Sequence, residues 1–176
     1  MSTLSKLVAA RLDNGNSELL DIVIEEAIRV TPKLTQDHLK YITFHHYISS
    51  TKQQGPNIPF EVIEMMVVPV YDRFYTGAQL TDGSINYLAG LGLLTINQLM
   101  SGNIFEHFRK EYSWLGTDAK DFEEKAKEKA PRFHQMLSSF NEWGSFKMRL
   151  TSTGQTIALT NLSTVLPGLD FKIWIK

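Results

Sequence analysis

Two runs of alternating cationic and apolar residues near the end of the sequence carry the side chains best suited to binding. They span residues 146–150 and 169–175. Successive side chains of a β-strand point to opposite sides, so each run predicts a strand with one buried face. The side chains predicted on the exposed face are Lys147, Arg149, Lys172 and Trp174.

This basic strand face has several possible uses. Cations with an aromatic ring between them can bind phosphates, stack on bases or anchor a partner protein. We therefore predict a binding surface there. The alternative is a solvated edge, because edge strands carry lysine to prevent aggregation, with Trp174 covered by other elements. The sequence leaves both interpretations open.

The histidines form a second candidate site, since imidazole is a common metal ligand. His38 and either His45 or His46 are about two helical turns apart. Histidine pairs that bind zinc on a helix are usually four residues apart and have a carboxylate nearby, as in HExxH, and no such motif occurs here. We predict no metal site and no cofactor, with His46 partly buried and His38 and His45 solvated.

Residue patterns typical of enzymes are missing. There is no cysteine, which excludes thiolate nucleophiles, and there is no G-x-S-x-G, P-loop or dinucleotide motif. Glu61 and Glu64 share a helix face and could act as an acid and a base, although solvated helices carry such pairs routinely. We predict that the protein is not an enzyme.

Helical patterns fill the first part of the chain. Residues 3–12 and 17–30 predict two helices, and Thr35 is a suitable N-cap for a third. A fourth helix, over residues 60–74, contains Pro69. Because proline lacks the N–H group of a helical hydrogen bond, we expect this helix to bend or end early.

A helix and a strand follow almost without a connection. The helix over residues 82–91 should stop at Gly92 and lead into a strand at residues 93–96. Beyond it lies a long helical stretch whose main part begins at Thr117 and Asp118. Its apolar spacing continues through Pro131, where we expect a kink.

The last helix of the sequence has a distinct start. The strand over residues 146–150 should pair with the strand at residues 93–96. It leads into a predicted capping box, with Ser152 as the N-cap and Gln155 as its reciprocal partner. This helix should reach about Leu166.

Two segments resemble parts of winged-helix domains. In YLAGLGLLTI a helix runs into a strand, and LTSTGQTIALTNL leads from a strand into a closing helix. The segments are also similar to an uncharacterised bacterial family whose members end in an LTS-x-G helix and a short strand with a tryptophan. This similarity extends over residues 30–176. It implies a fold, and it implies no activity or catalytic residues.

The sequence thus predicts a mainly α-helical domain with a small antiparallel β-sheet, an α+β fold, over residues 1–176. Its winged-helix-like core comprises residues 35–97 and 145–176. N-terminal helices occupy residues 1–34, and residues 98–144 form a helical insertion in the wing.

The predicted function follows from the charge distribution. A DNA-binding winged helix needs cations on the helix before its wing, because phosphate contacts supply much of the affinity. No lysine or arginine lies between Arg73 and Arg109. We therefore predict a non-enzymatic interaction or scaffolding module that binds a partner protein or itself. The alternative is a nucleic-acid-binding regulator that uses the basic strand face.

The cellular location is predicted from composition. The chain has no cysteine, a net charge of −1 and no apolar segment that approaches the roughly 20 residues needed to span a bilayer. These features predict a cytoplasmic protein that does not contact a membrane.

Overall fold

A computed structural model describes residues 2–12, 18–50, 57–76 and 81–166 of the chain. Most of these residues are helical, and a small two-stranded antiparallel sheet accompanies them, as predicted. The α-helices are α1 (Thr3–Leu12), α2 (Glu18–Val30), α3 (Gln36–Ser50), α4 (Phe60–Val70), α5 (Asp82–Gly90), α6 (Ile104–Glu111), α7 (Ala119–Lys129), α8 (Pro131–Glu142) and α9 (Ser152–Leu162). The strands are β1 (Leu94–Ile96) and β2 (Met148–Leu150).

Side-chain caps fix two helix starts where they were predicted. The Thr35 hydroxyl accepts the His38 amide at 3.2 Å, and the Thr35 amide donates to the His38 Nδ1 at 3.3 Å. This reciprocal pair begins α3. At the start of α7 the Asp118 carboxylate accepts the amides of Lys120 and Asp121, both at 2.9 Å. Each cap satisfies amides that have no partner within the helix.

The two prolines inside helical patterns have different effects. Helix α4 continues one residue past Pro69 and then widens into a π-helix, Tyr71–Tyr75, rather than ending. At Pro131 the expected kink is a complete break, because Ala130 leaves the helical conformation with φ −142° and ψ 64°. Pro131 then begins α8, a position at which the N–H group has no hydrogen-bond partner within the helix, so its absence does not destabilise the helix.

The start of α8 is capped by a residue of another helix. Ala130 offers no capping side chain. Instead the Glu64 carboxylate, on α4, accepts the amides of Arg132 and Phe133 at 3.1 and 3.2 Å. Glu64 therefore has a structural role, while Glu61 lies 3.9 Å from Lys129 on the surface.

The sheet confirms the predicted pairing, and both strands are shorter than predicted. Leu94 lies opposite Leu150, and Ile96 lies opposite Met148. Strand β2 begins later than predicted, because Ser145–Lys147 forms a 3-10 helix rather than strand. Gly144, with φ 61°, precedes it and accepts the Lys147 amide at 3.0 Å, which closes this turn. The predicted last strand, residues 169–175, lies outside the described residues.

The cap of α9 is one residue away from the predicted one. Thr151, not Ser152, is the N-cap, and its hydroxyl accepts the Gly154 amide at 3.2 Å. Ser152 is the first helical residue, and the Gln155 side chain donates to the Leu150 carbonyl instead of closing a capping box. The helix ends at Leu162, before the expected Leu166.

The LTS-x-G residues also join α9 to the chain before β1. The Thr151 hydroxyl donates to the Gly92 carbonyl at 2.7 Å, and its amide donates to the Leu93 carbonyl at 3.0 Å. A side chain at Gly154 would overlap the Leu93 carbonyl oxygen. Gly92 itself is left-handed, with φ 73°, as predicted. The motif therefore holds β1, β2 and α9 together.

Two apolar clusters form the core on either side of α3. One contains side chains of α3, α4, α6, α7 and α8, among them Phe44, Phe60, Phe122 and Phe140. The other contains side chains of α1, α2, α3, α5, both strands and α9, among them Leu7, Ala27, Ile42 and Ile157. Helix α3, which contributes to both clusters, also lies against α9. The helices between β1 and β2 therefore share a core with α3 and α4.

Candidate binding surface and pocket

An ordered turn after β1 displays apolar side chains to solvent. The Met100 amide donates to the Asn97 carbonyl at 3.1 Å, and the Leu99 amide donates to the Asn97 side-chain oxygen at 3.0 Å. Asparagine favours such turns because its side chain can replace a backbone acceptor. Leu99 is 93% exposed and Met100 is 49% exposed. The turn thus fixes two apolar residues on the surface.

Two exposed cations accompany this turn. Arg149 lies opposite Thr95 in the sheet, and the Lys147 carbonyl accepts the Asn97 amide at 2.7 Å. Within residues 2–12, 18–50, 57–76 and 81–166, neither Lys147 nor Arg149 forms an ion pair. We name Leu99, Met100, Lys147 and Arg149 the sheet-end surface.

The predicted basic strand face is seen only in part. Lys147 lines an open groove of about 460 Å³ together with Gln98 and Glu142. Arg149 instead lines a pocket of about 280 Å³. The two cations therefore lie near one end of the sheet, but Lys147 borders the groove and Arg149 borders the pocket. The other two predicted residues, Lys172 and Trp174, lie outside the described residues.

The pocket beside Arg149 is open to solvent, and most of its lining surface is apolar. It lies between α3, α6, α8 and the chain on either side of the sheet. Its lining residues are His45, Ser49, Met100, Ile104, His107, Phe140, Ser145, Phe146, Met148 and Arg149. We name this cavity the His45 pocket.

Close contacts hold the wall of this pocket in place. The Asn141 side chain, on α8, accepts the Ile104 amide at 2.9 Å and donates to the Asn103 side chain at 3.3 Å. This pair fixes the start of α6 against α8. Gly102 lets the chain pass close to Phe146, because a Cβ atom there would lie 2.9 Å from the phenyl ring.

His45 provides a buried polar group in the pocket. It is only 2% exposed, so the prediction that it is solvated is wrong. Its Nε2 lies 3.2 Å from the Ser145 carbonyl oxygen, which can only accept, so Nε2 carries the proton. Burial lowers the pKa of His45 to about 4, although backbone contacts with Ser145 and Met148 act in the opposite direction. His45 is therefore neutral at pH 7, because burial disfavours the imidazolium.

Two polar atoms of the pocket residues are buried and poorly satisfied by the described protein groups. Among the described residues, the His45 Nδ1 and the Ser145 hydroxyl are buried without a hydrogen bond of ordinary geometry. The hydroxyl of nearby Tyr41 donates to the Met148 sulfur at 2.7 Å. Burial raises the pKa of Tyr41 to about 12, and a hydrogen-bonding contact with the Ser145 side chain acts in the opposite direction. Buried polar groups are usually paired, so these two atoms are unusual.

The arrangement of polar groups in the pocket bears on two kinds of site, that of a serine hydrolase and that of a metal ion. A serine hydrolase needs its histidine on the serine hydroxyl, whereas the His45 Nε2 faces the backbone carbonyl of Ser145. In the part of the chain that the structure describes, no group of three or more His, Asp or Glu side chains could hold a metal ion. Apolar side chains and Arg149 line the pocket together.

Sequence reasoning missed this pocket. His45 and Ser145 are 100 positions apart, and no motif connects them. The one available indication was that His45 and His46 lie within a helix whose neighbouring residues are mostly apolar. His46 is also buried, at 1% exposure, more deeply than predicted, whereas His38 is half-buried and stacks on Tyr87.

Comparison with known proteins identifies a family and no individual relative. A model of a family of unknown function matches residues 1–127 and 114–175. No curated protein and no solved structure matches the chain. Among the described residues, no helix is both long and apolar enough to cross a membrane. Because the matched residues cover nearly all of the sequence, the chain belongs to this family of unknown function.

Proposed function

We propose that this protein is a non-enzymatic interaction module that binds a partner protein through the sheet-end surface. The observation that carries the proposal is the exposure of Leu99, at 93%, in an ordered turn. Single exposed apolar residues are common on proteins. Here, however, Met100 extends the apolar surface and Arg149 borders the adjoining pocket.

The chemistry of the surface indicates the kind of partner. An apolar side chain of the partner would contact Leu99 and Met100, while its carboxylates would approach Lys147 and Arg149. Neither cation forms an ion pair among the described residues. A carboxylate of the partner therefore need not displace a carboxylate of this chain. Complementary charge favours the encounter, and apolar contact supplies most of the affinity. We infer an acidic partner segment with an apolar anchor.

The order of elements supports a winged-helix-type module as the scaffold. Helix α5 leads directly into β1, and β2 leads directly into α9. Helix α5 has no lysine or arginine, with Asp82 in its first turn. A neutral helix in this position suits protein contacts better than phosphate contacts.

Capture experiments with matched variants would test the proposal. The tagged protein is incubated with host lysate, with and without nuclease, and bound proteins are identified. Leu99→Ser should weaken partner binding by about tenfold or more, since burying a leucine contributes about 1.5–3 kcal/mol. The matched control is Leu12→Ser, because Leu12 is 75% exposed at the end of α1.

The outcomes separate the rival functions. A protein captured equally by Leu99→Ser and the unchanged protein would contradict the proposed surface. Capture that disappears after nuclease treatment would favour the nucleic-acid-binding alternative. In that case Lys147→Ala and Arg149→Ala should each reduce the steep salt dependence of binding to nucleic acid, because each removes a possible phosphate contact.

A further inference from the structure

The His45 pocket combines apolar walls with two sets of polar groups, one exposed to solvent and one buried. Arg149 and the exposed His107 contribute cationic or donor groups. Ser145 and His45 contribute buried groups. Phe140, Phe146 and other apolar side chains lie among them. Apolar walls with a few placed polar groups are typical of small-molecule sites.

We propose that the His45 pocket binds a small aromatic carboxylate that carries a hydroxyl group at the end opposite its carboxylate. The carboxylate pairs with Arg149, the ring lies between the apolar walls, and the hydroxyl reaches Ser145. This inference concerns a ligand of the isolated protein, so it goes beyond the proposed partner binding and does not depend on it.

The volume limits the ligand to a single small ring system. At about 280 Å³ the pocket is just below the roughly 300–1,000 Å³ that is usual for ligand pockets. Phe140 and Phe146 meet edge to face, with ring centroids 5.4 Å apart. Another aromatic ring is therefore a suitable neighbour, because aromatic side chains favour such offset or edge contacts.

The charge of Arg149 selects the carboxylate. A guanidinium is always protonated and can donate two parallel hydrogen bonds to a carboxylate. Arg149 has no acidic partner among the described residues, and the residues that line the pocket include no aspartate or glutamate. An anionic ligand would therefore meet a free cation and no repelling charge.

The buried polar groups select the hydroxyl. The Ser145 hydroxyl can rotate about its Cα–Cβ bond and either donate or accept. It lacks a hydrogen bond of ordinary geometry within the described chain, as does the His45 Nδ1. A ligand hydroxyl would supply Ser145 with a partner of ordinary geometry, which a purely apolar ligand cannot do.

Two acids that differ by one hydroxyl provide the test. The full chain is titrated with 4-hydroxyphenylacetate and with phenylacetate, and binding is followed by calorimetry and by shifts of backbone amide resonances. We expect saturable binding of both acids, and the hydroxylated acid should bind about fivefold more tightly, as one added hydrogen bond implies. Resonances of residues 100–107 and 145–149 should shift.

Variants assign each part of the ligand to a residue. Arg149→Gln should lower the affinity for both acids about tenfold. The control Arg29→Gln, on the exposed face of α2, should leave both affinities unchanged. Ser145→Ala should remove the preference for the hydroxylated acid while phenylacetate still binds, and this retained binding shows that the variant is folded.

Three results would overturn the proposal. The first is that neither acid shows saturable binding at concentrations up to about 10 mM. The second is that Arg149→Gln binds the acids as tightly as the unchanged protein. The third is that Ser145→Ala still prefers the hydroxylated acid. Leu99→Ser distinguishes the two hypotheses. Leu99 does not line the pocket, so this variant should still bind the acids. If it does, and if it also captures the same partners as the unchanged protein, the proposed function fails and the ligand proposal stands.

Discussion

Acid should destabilise this protein through two adjacent histidines. His45 and His46 are buried in α3, and burial lowers the pKa of each from 6.5 to about 4. The charge of His45 further lowers the pKa of His46. In the unfolded chain both histidines would ionise near their ordinary pKa. The unfolded state therefore binds more protons between about pH 6.5 and pH 4, so the free energy of unfolding falls as the pH falls through that range.

The size of this effect follows from the two pKa values. At pH 5, a change from 6.5 in the unfolded chain to about 4 in the folded chain lowers the free energy of unfolding by about 2 kcal/mol for each histidine. The two together amount to about 4 kcal/mol. Domains are stable by about 5–15 kcal/mol in total, so the loss is large.

Urea denaturation at pH 7.5 and pH 5.0 would measure it. His45→Gln removes one titrating group, and its amide can still donate to the Ser145 carbonyl. We expect this variant to lose about half of the pH dependence, whereas His107→Gln, at an exposed site, should retain it. Glu26, Glu106 and Asp121 have pKa values lowered by hydrogen bonds, so their contribution is lost only at lower pH.

Two results would refute this reasoning. One is equal stability of the unchanged protein at the two pH values, which would mean that the buried histidines titrate normally. The other is the same pH dependence in His45→Gln as in the unchanged protein, which would assign the effect to other groups.

Three further predictions concern stability and are checked by urea denaturation midpoints at pH 7.5. Thr151→Ala should cost about 1 kcal/mol or more, because it removes the cap of α9, whereas Ser152→Ala should have little effect. Gly154→Ala should cost about 2 kcal/mol, since the added methyl group overlaps the Leu93 carbonyl; an unchanged midpoint would show that this contact is not tight. Glu64→Ala should cost about 1 kcal/mol through the start of α8, and Glu61→Ala, the matched control, should cost much less.

The sequence predicted the elements that depend on local chemistry. Thr35 and Asp118 cap helices because short oxygen-bearing side chains reach nearby amides. Gly92 ends α5 because the left-handed conformation favours glycine. The strands predicted at residues 93–96 and 146–150 pair as expected, although each is shorter than predicted, and alternation indicated the buried face of the second.

The errors arise where neighbouring residues offer the same chemistry or where distant residues meet. Thr151 and Ser152 both carry a capping hydroxyl, and contact with the Gly92 carbonyl favours Thr151. Phe146 alternates like a strand residue, but the left-handed Gly144 closes a helical turn around it. The His45 pocket depends on tertiary packing, which no local pattern of residues specifies.

The cap that Glu64 provides has a consequence for how the chain folds. Glu64 and Arg132 are 68 positions apart, and Ala130 cannot cap α8 by itself. The first amides of α8 therefore gain their acceptor only once α4 has docked, so the two helices should form cooperatively rather than one by one. In native-state hydrogen exchange, the amides of Arg132 and Phe133 should open together with those of α4, and Glu64→Ala should uncouple them.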